Sequence, residues 1–155
     1  MTTKSMTNLI SYKPPRIAIS LLAVATVLWL FSPPETIIYI PYKLVGSIFI
    51  PTGFAVLLVA WLQFKKANTA IPPTAESTLI VTSGIYRYTR NPMYLGMLLM
   101  MLGAAFFMGT ITAMLGPVVF FLIIDKVFIP YEEKDLQSSF GNEYEEFLST
   151  TRRWL

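Results

Sequence analysis

A long stretch without a single charged residue, from Met93 to Ile124, constrains this chain more than any other feature. It exceeds the roughly 20 residues that one membrane-spanning helix requires and suits two short helices that turn at residues 109–112. Within it Gly96, Gly103 and Thr110 recur every seven residues, leaving one helix face small enough for close contact. Hydrophobic residues make up 54% of the chain and charged residues 14%, whereas about a quarter of a soluble domain is charged. The sequence therefore predicts a membrane protein with a helical hairpin in its second half.

Two further apolar runs precede this hairpin. The first, Ile17 to Phe31, is short for a span and follows a basic N-terminus, so a signal peptide is the alternative interpretation. No small-x-small cleavage site follows it, which favours a retained helix. The second run, Leu44 to Phe64, is uncharged and carries Trp61 near its end, as interfacial aromatic residues often do. We therefore predict an all-α membrane protein, a single domain of about four transmembrane helices at 17–31, 44–64, 93–109 and 111–129.

The chain after the hairpin becomes polar. Its apolar residues recur at spacings of three and four, which is typical of an amphipathic helix with one apolar face: Leu136, Phe140, Tyr144 and Phe147. Gly141 interrupts this pattern. We expect two short amphipathic helices, which form a cytosolic tail lying against the membrane or the helix bundle.

Lysine and arginine are distributed unevenly beside the predicted spans. The residues before the first span include Lys4, Lys13 and Arg16, and the connector between the second and third spans holds Lys65, Lys66, Arg87 and Arg90. The remaining loops contribute only Lys43. Because positive charge marks cytoplasmic loops, we predict a multi-pass protein, of the inner or plasma membrane in a bacterium, with both termini cytoplasmic. The segments 79–96 and 131–155 then share the cytosolic face.

The composition excludes several kinds of chemistry. The sequence has no cysteine and no histidine, which rules out disulfides, thiolate nucleophiles and imidazole bases and removes the commonest zinc ligands. We therefore predict no metal. Lysines and arginines sit beside apolar segments, which indicates phospholipid headgroups rather than nucleic acid as partners. Any reaction must use carboxylates, arginines, tyrosines, amides, backbone groups or a cofactor.

Two polar segments are expected to meet at the cytosolic interface. One is Gly84–Gly96, rich in tyrosine and arginine, and the other is Tyr131–Lys134, which contains paired glutamates. Each segment also has a purely structural interpretation. Arg87 and Arg90 could be topology determinants, and Pro92 could be the first residue of a helix. The glutamates could be a solvated helix end. Packing does not demand the alternation of tyrosine and arginine, however. We therefore treat the two segments as halves of a candidate site.

The motifs of the second half occur in a fixed order: Gly84, Tyr86, Tyr88, Arg90, Asn91, Pro92, Tyr94 and Gly96, then Glu132, Glu133, Leu136, Phe140, Gly141, Tyr144, Arg152, Arg153 and Trp154. This order resembles the isoprenylcysteine carboxyl methyltransferase family, whose wider relatives include the phospholipid N-methyltransferases. The resemblance covers roughly Leu79 to Leu155, while the first two helices match only in hydropathy.

The resemblance implies an integral membrane enzyme that uses S-adenosylmethionine to methylate a lipophilic small molecule. The cofactor site that it implies consists of Tyr86, Arg90, Asn91, Pro92, Tyr94, Gly96, Glu132 and Glu133. Asn91 stands where the family usually has histidine. Its amide keeps a hydrogen-bond donor but cannot titrate, so proton transfer at this position is excluded.

Methyl transfer from a sulfonium is an in-line displacement that depends mainly on positioning the two reactants. A carboxylate or thiolate acceptor needs no base, and an arginine fork holds a carboxylate well. Our candidate for that role is Arg153, with Arg152 and Arg87 behind it. An ammonium acceptor would need deprotonation, for which only aspartate, glutamate or tyrosine remains. Because a carboxylate needs no base and an ammonium group does, a carboxylate is slightly favoured as the methyl acceptor.

Three alternatives stay open at this point. The first is an activity like that of the phospholipid N-methyltransferases. The second is a membrane reductase of the steroid-reductase type, which would bind a nicotinamide cofactor at the same membrane face. The third is a non-catalytic membrane scaffold, which has no evident need for the complete tyrosine-arginine motif.

Overall fold

The computed structural model describes residues 14–31, 38–67 and 79–155. Every regular element in these residues is helical, which confirms the predicted all-α class. The helices are α1 (Pro14–Phe31), α2 (Gly46–Lys66), α3 (Pro92–Met108), α4 (Ile111–Ile123), α5 (Ile129–Phe140) and α6 (Asn142–Thr150). Short 3₁₀ turns at Tyr42–Val45 and Gly84–Arg87 precede α2 and α3. Lys4 and Lys13, which supported the predicted orientation, lie outside the described residues.

Three helical stretches are long and apolar enough to cross a membrane: Pro14–Phe31, Tyr42–Lys66 and Ile111–Phe140. Helix α3 is also apolar but has only 17 residues, about 25 Å of helix against a hydrocarbon core of roughly 30 Å. It packs against α1, α2 and α4 and is therefore the central helix of the bundle. The chain is a multi-pass integral membrane protein, as predicted.

Helices α2 and α3 approach each other through glycines. A Cβ atom on Gly53 would lie 2.6 Å from the carbonyl oxygen of Gly96, and one on Gly46 would lie 2.5 Å from that of Gly103. The predicted small face of α3 thus meets a matching face of α2, whose glycines are also seven residues apart. Because membrane helices gain no hydrophobic energy from one another, such close backbone packing is what holds them together.

The turn between α3 and α4 forms the predicted hairpin. Gly109 ends α3 with φ of 71°, in the left-handed region that glycine adopts without strain. Thr110 then begins α4, because its hydroxyl oxygen accepts a hydrogen bond from the Ala113 N–H at 3.3 Å. The hairpin returns the chain to the membrane face at which α3 begins.

Helix α4 continues into α5 without a break, through a π-helical turn at Ile124–Phe128. The predicted fourth span at 111–129 and the glutamate segment after it are thus one continuous helical stretch rather than two separate elements. Pro130 does not end the helix, since the wider turn before it accommodates the missing N–H. Glu132 and Glu133 are consequently held on the same rigid element as the fourth span.

The tail docks onto the bundle through the predicted apolar stripe. Tyr144 and Phe147 are buried with Val81, Tyr86 and Ala60. The other residues of the stripe, Leu136 and Phe140, pack against this cluster. The stripe therefore joins α5 and α6 to the end of α2 and to the segment that precedes α3.

The glycine contact predicts a sharp difference between two alanine substitutions. Gly53→Ala places a methyl group against backbone atoms that cannot yield, so we expect the free energy of unfolding to fall by about 1–3 kcal/mol. Gly116→Ala is the control, because its Cβ would lie 3.9 Å from Met101 Cε; it should be neutral or stabilise the helix by roughly 0.5–1 kcal/mol. Reversible unfolding in mixed detergent micelles measures both. Equal effects would contradict the contact.

Candidate functional site

Glu133 holds two arginines from different parts of the chain. Arg90 Nη2 donates to Glu133 Oε1 at 2.9 Å. Arg153 donates to both carboxylate oxygens, from Nε at 3.2 Å and from Nη2 at 2.5 Å. The hydrogen bond to Glu133 raises the pKa of Arg153, which therefore stays cationic. The side chains of Arg90 and Glu133 are 13% and 19% exposed, so this ionic contact is largely shielded from water.

Arg90 also binds the C-terminal tail. Its Nη1 donates to the carbonyl oxygen of Leu148 at 3.3 Å and to that of Thr151. Its backbone N–H donates to the carbonyl oxygen of Arg152 at 2.9 Å. Only Nε, which is buried, has no hydrogen-bond partner among the residues that the structure describes. Arg90 therefore joins three elements: the start of α3, helix α5 and the tail.

The residues on either side of Arg90 extend this contact. The Thr89 hydroxyl donates to the carbonyl oxygen of Arg153 at 3.2 Å, and Asn91 Nδ2 donates to the same oxygen at 2.9 Å. Asn91 is the N-cap residue of α3 but makes no side-chain cap bond. Its amide is used to hold the tail instead.

Glu132 has a different environment from its neighbour. Its Oε1 accepts a hydrogen bond of 2.6 Å from the hydroxyl of Tyr94, which is buried in the first turn of α3. Helix α5 therefore presents two adjacent carboxylates with separate partners. Glu133 is neutralised by arginines, whereas Glu132 meets a neutral phenol.

Asp125 also belongs to this cluster. It lies in the π-helical turn, and its carboxylate accepts from Trp154 Nε1 at 3.0 Å. Lys126 Nζ lies 2.8 Å from the same carboxylate, and Arg153 Nη1 lies 3.6 Å from it. A signal was available: Asp125 is the one acidic residue in a long apolar run, and such residues are commonly functional.

Three of the predicted cofactor residues lie in packing contacts. Tyr86 is 5% exposed and meets the ring of Phe64 edge-on at 5.1 Å, and this burial raises its pKa. Gly96 faces the backbone of Gly53, and Pro92 is the buried first residue of α3. The structure brings together the other five: Arg90, Asn91, Tyr94, Glu132 and Glu133.

The three arginines predicted to hold a substrate are divided between two places. The backbone at Thr151 is extended, with φ −124° and ψ 134°, and side chains alternate along such a segment. Arg153 therefore reaches the carboxylates, whereas Arg152 lines a surface cavity of about 320 Å³. The other lining residues are Arg87, Tyr88, Thr150 and Leu155.

Fold and site together define a multi-pass membrane protein with a cluster of carboxylates and guanidiniums where α3 begins and α5 follows the fourth span. The chain belongs to the phospholipid methyltransferase family, whose sequence profile matches residues 42–143 of its 155. This result confirms the resemblance seen in the motifs. The protein is therefore a member of a family of membrane methyltransferases.

Three relatives are similar over shorter stretches. An uncharacterized protein of Haemophilus influenzae is 41% identical over 63 residues, which are 41% of this chain and the whole of that protein. The protein-S-isoprenylcysteine O-methyltransferase of Schizosaccharomyces pombe is 39% identical over 72 residues, 44% of this chain. A probable protein-S-isoprenylcysteine O-methyltransferase of Oryza sativa subsp. indica is 38% identical over 71 residues, also 44% of this chain. These matches span 29% and 36% of the two methyltransferases. No solved structure matches.

The position of Arg90 predicts a large effect on stability. Arg90→Met removes one of the two guanidinium partners of Glu133 and the donor to two tail carbonyls, so we expect the free energy of unfolding to fall by about 3 kcal/mol. Arg87→Met is the matched control. Arg87 is exposed and has no side-chain partner among the described residues. Its replacement should therefore change the free energy of unfolding by no more than about 0.5 kcal/mol. Chemical unfolding in micelles compares the two, and equal losses would refute the central role of Arg90.

The contact between Asp125 and Trp154 predicts an optical signal. In a background where Trp29 and Trp61 are replaced by phenylalanine, Trp154 is the sole indole. Asp125→Ala removes the acceptor of its Nε1–H, so we expect red-shifted emission and stronger quenching by acrylamide as the tail loosens. Lys126→Ala is the control, since it leaves that hydrogen bond intact. An unchanged spectrum after Asp125→Ala would contradict the contact.

Proposed function

We propose that this protein is an S-adenosylmethionine-dependent membrane methyltransferase that acts on a lipophilic small molecule. One observation carries the proposal: at the start of α3, Glu132 of α5 meets Tyr94 and Glu133 meets Arg90. Membership of the phospholipid methyltransferase family supports methyl transfer as the reaction class. The proposed enzyme is a single integral membrane domain.

The polar groups of the cluster fit S-adenosylmethionine. The cofactor is a zwitterion with a cationic sulfonium and ammonium, an anionic carboxylate and a ribose diol. The cluster likewise contains positively and negatively charged groups. Two of its groups have unused hydrogen-bonding capacity. The buried Nε of Arg90 has no acceptor among the described residues, and Glu132 accepts only from Tyr94 there.

These groups suggest separate roles. Glu132 would accept hydrogen bonds from the ribose hydroxyls or the ammonium group through its carboxyl oxygens. Arg90 and Asn91 would hold the carboxylate end through N–H donors. When bound, S-adenosylmethionine supplies an electrophilic methyl group. Glu133 would act indirectly, because it fixes the positions of Arg90 and Arg153.

We further propose a carboxylate as the methyl acceptor. The two methyltransferase relatives are named for O-methylation of isoprenylcysteine, and a carboxylate needs no base. Arg153 is the proposed binding group. Its guanidinium has five N–H groups, and three of its nitrogens contact Glu133 and Asp125, so donors remain for a second carboxylate. Arg87 and Arg152, which were also predicted to hold the substrate, line a separate surface cavity.

The site is proposed to face the cytoplasm. The described residues at this end of the bundle include Lys65, Lys66, Arg87 and Arg90, and a concentration of lysine and arginine marks the cytoplasmic side. A soluble cofactor made in the cytoplasm would then reach α3 and α5 directly. The lipophilic acceptor would approach from the bilayer.

Calorimetry with S-adenosylhomocysteine tests the cofactor. We expect the purified protein to bind it and Glu132→Gln to weaken binding roughly tenfold, since hydrogen bonds to a charged group contribute about 1.5–3 kcal/mol. Glu143→Gln is the control, because Glu143 is exposed on α6 and forms no ion pair with the cluster among the described residues. It should bind as the unmodified protein does.

Two results would contradict the proposal. One is the absence of S-adenosylhomocysteine binding in a folded sample. The other is tighter binding of NADPH than of S-adenosylhomocysteine, which would favour the reductase alternative. Incubation with labelled S-adenosylmethionine and a membrane lipid extract then tests transfer itself, and label released by mild base would identify a carboxyl ester.

A further inference from the structure

The cavity beside the tail carries two arginines that the charge cluster does not use. Arg87 lies at the end of the 3₁₀ turn before α3, and Arg152 lies in the extended tail. Within the described part of the chain, neither guanidinium has an ion pair or a side-chain hydrogen bond. Two like charges repel, so lining one cavity with them costs free energy unless an anion lies between them.

The two arginines are placed by contacts that do not involve their own side chains. The Arg90 N–H binds the Arg152 carbonyl oxygen at 2.9 Å, and the Thr89 hydroxyl binds the next carbonyl of the tail at 3.2 Å. Thr89 and Thr151 are both buried. The backbones that carry Arg87 and Arg152 are thus fixed to each other, while both guanidiniums stay exposed and available.

The remaining lining suits the membrane interface. Tyr88 is 72% exposed and Leu155 is 73% exposed, and Thr150 adds a hydroxyl group. The 3₁₀ turn comes a few residues before the membrane helix α3, and exposed aromatic side chains are enriched at this depth of a bilayer. At about 320 Å³, the cavity is at the lower end of the usual range for small-molecule sites, roughly 300–1,000 Å³.

We propose that Arg87 and Arg152 bind the phosphate group of an anionic phospholipid at the membrane surface. Two planar guanidinium forks match the tetrahedral oxygens of a phosphodiester, and Tyr88 and Leu155 flank the acyl-chain side. A zwitterionic headgroup is disfavoured because its ammonium would meet two cations. The bound lipid would fix the tail against the bilayer, and hence the depth of the neighbouring charge cluster. This lipid site does not depend on the proposed methyl transfer.

Calorimetry with short-chain lipids on the full-length protein in micelles tests the assignment. The probes are dihexanoylphosphatidylglycerol, dihexanoylphosphatidylcholine and glycerol 1-phosphate. We expect the anionic lipid to bind most tightly, because it alone offers both a net negative phosphate and acyl chains. Arg87→Gln with Arg152→Gln should weaken its binding roughly tenfold or more, since two charge-assisted interactions are lost.

Two further double variants separate geometry from charge. Arg87→Lys with Arg152→Lys keeps both charges but loses the forks, so an intermediate affinity is expected. Lys65→Gln with Lys66→Gln removes the same charge at the same end of the bundle and should change affinity by less than about twofold. Thermal unfolding verifies that all variants are folded.

Three outcomes would overturn the inference. Equal losses in the arginine and lysine double variants would mean diffuse attraction rather than a site. An unchanged affinity in the Arg87→Gln, Arg152→Gln variant would remove the arginines from lipid binding. Binding of glycerol 1-phosphate as tight as that of the anionic lipid would assign the cavity to a soluble phosphate.

Discussion

The ionic contact between Arg90 and Glu133 is the interaction on which the end of the bundle where α3 begins depends. It joins residues that are 43 positions apart in the chain, and the same arginine binds the tail through two carbonyl oxygens. A largely buried guanidinium with several acceptors is stable in one arrangement, because removing any acceptor leaves a charge poorly compensated. The start of α3, helix α5 and the tail are therefore fixed as one unit.

The bundle makes this contact possible by bringing both partners to the same membrane face. The hairpin of α3 and α4 places the beginning of one helix beside the end of the other. The π-helical turn then extends the fourth span past Pro130, so that the glutamates stay on a rigid helix. The glycine contact between α2 and α3 also helps to hold the start of α3 in this position. Charge at the membrane surface is thus positioned by apolar packing within the bundle.

The division of the C-terminal arginines gives the two faces of the tail different chemistry. Arg153 compensates the carboxylates of Glu133 and Asp125, next to the proposed cofactor site. Arg152 joins Arg87 on the surface, at the proposed lipid site. One extended segment would thereby couple the reaction site to the bilayer, because the same backbone carries both side chains. This arrangement suits an enzyme whose acceptor comes from the membrane.

Hydropathy and helical spacing are sufficient to predict the all-α class, the apolar helices, the hairpin and the apolar stripe of the tail, because both patterns report local burial directly. The sequence also singled out the two polar segments and the paired glutamates. It could not assign Tyr86 and Gly96 to packing, include Asp125 in the cluster or separate Arg152 from Arg153. Those features depend on which side chains meet across the bundle and on the backbone direction at Thr151. Such pairings join residues that are distant in the chain, so they become visible only in the folded bundle.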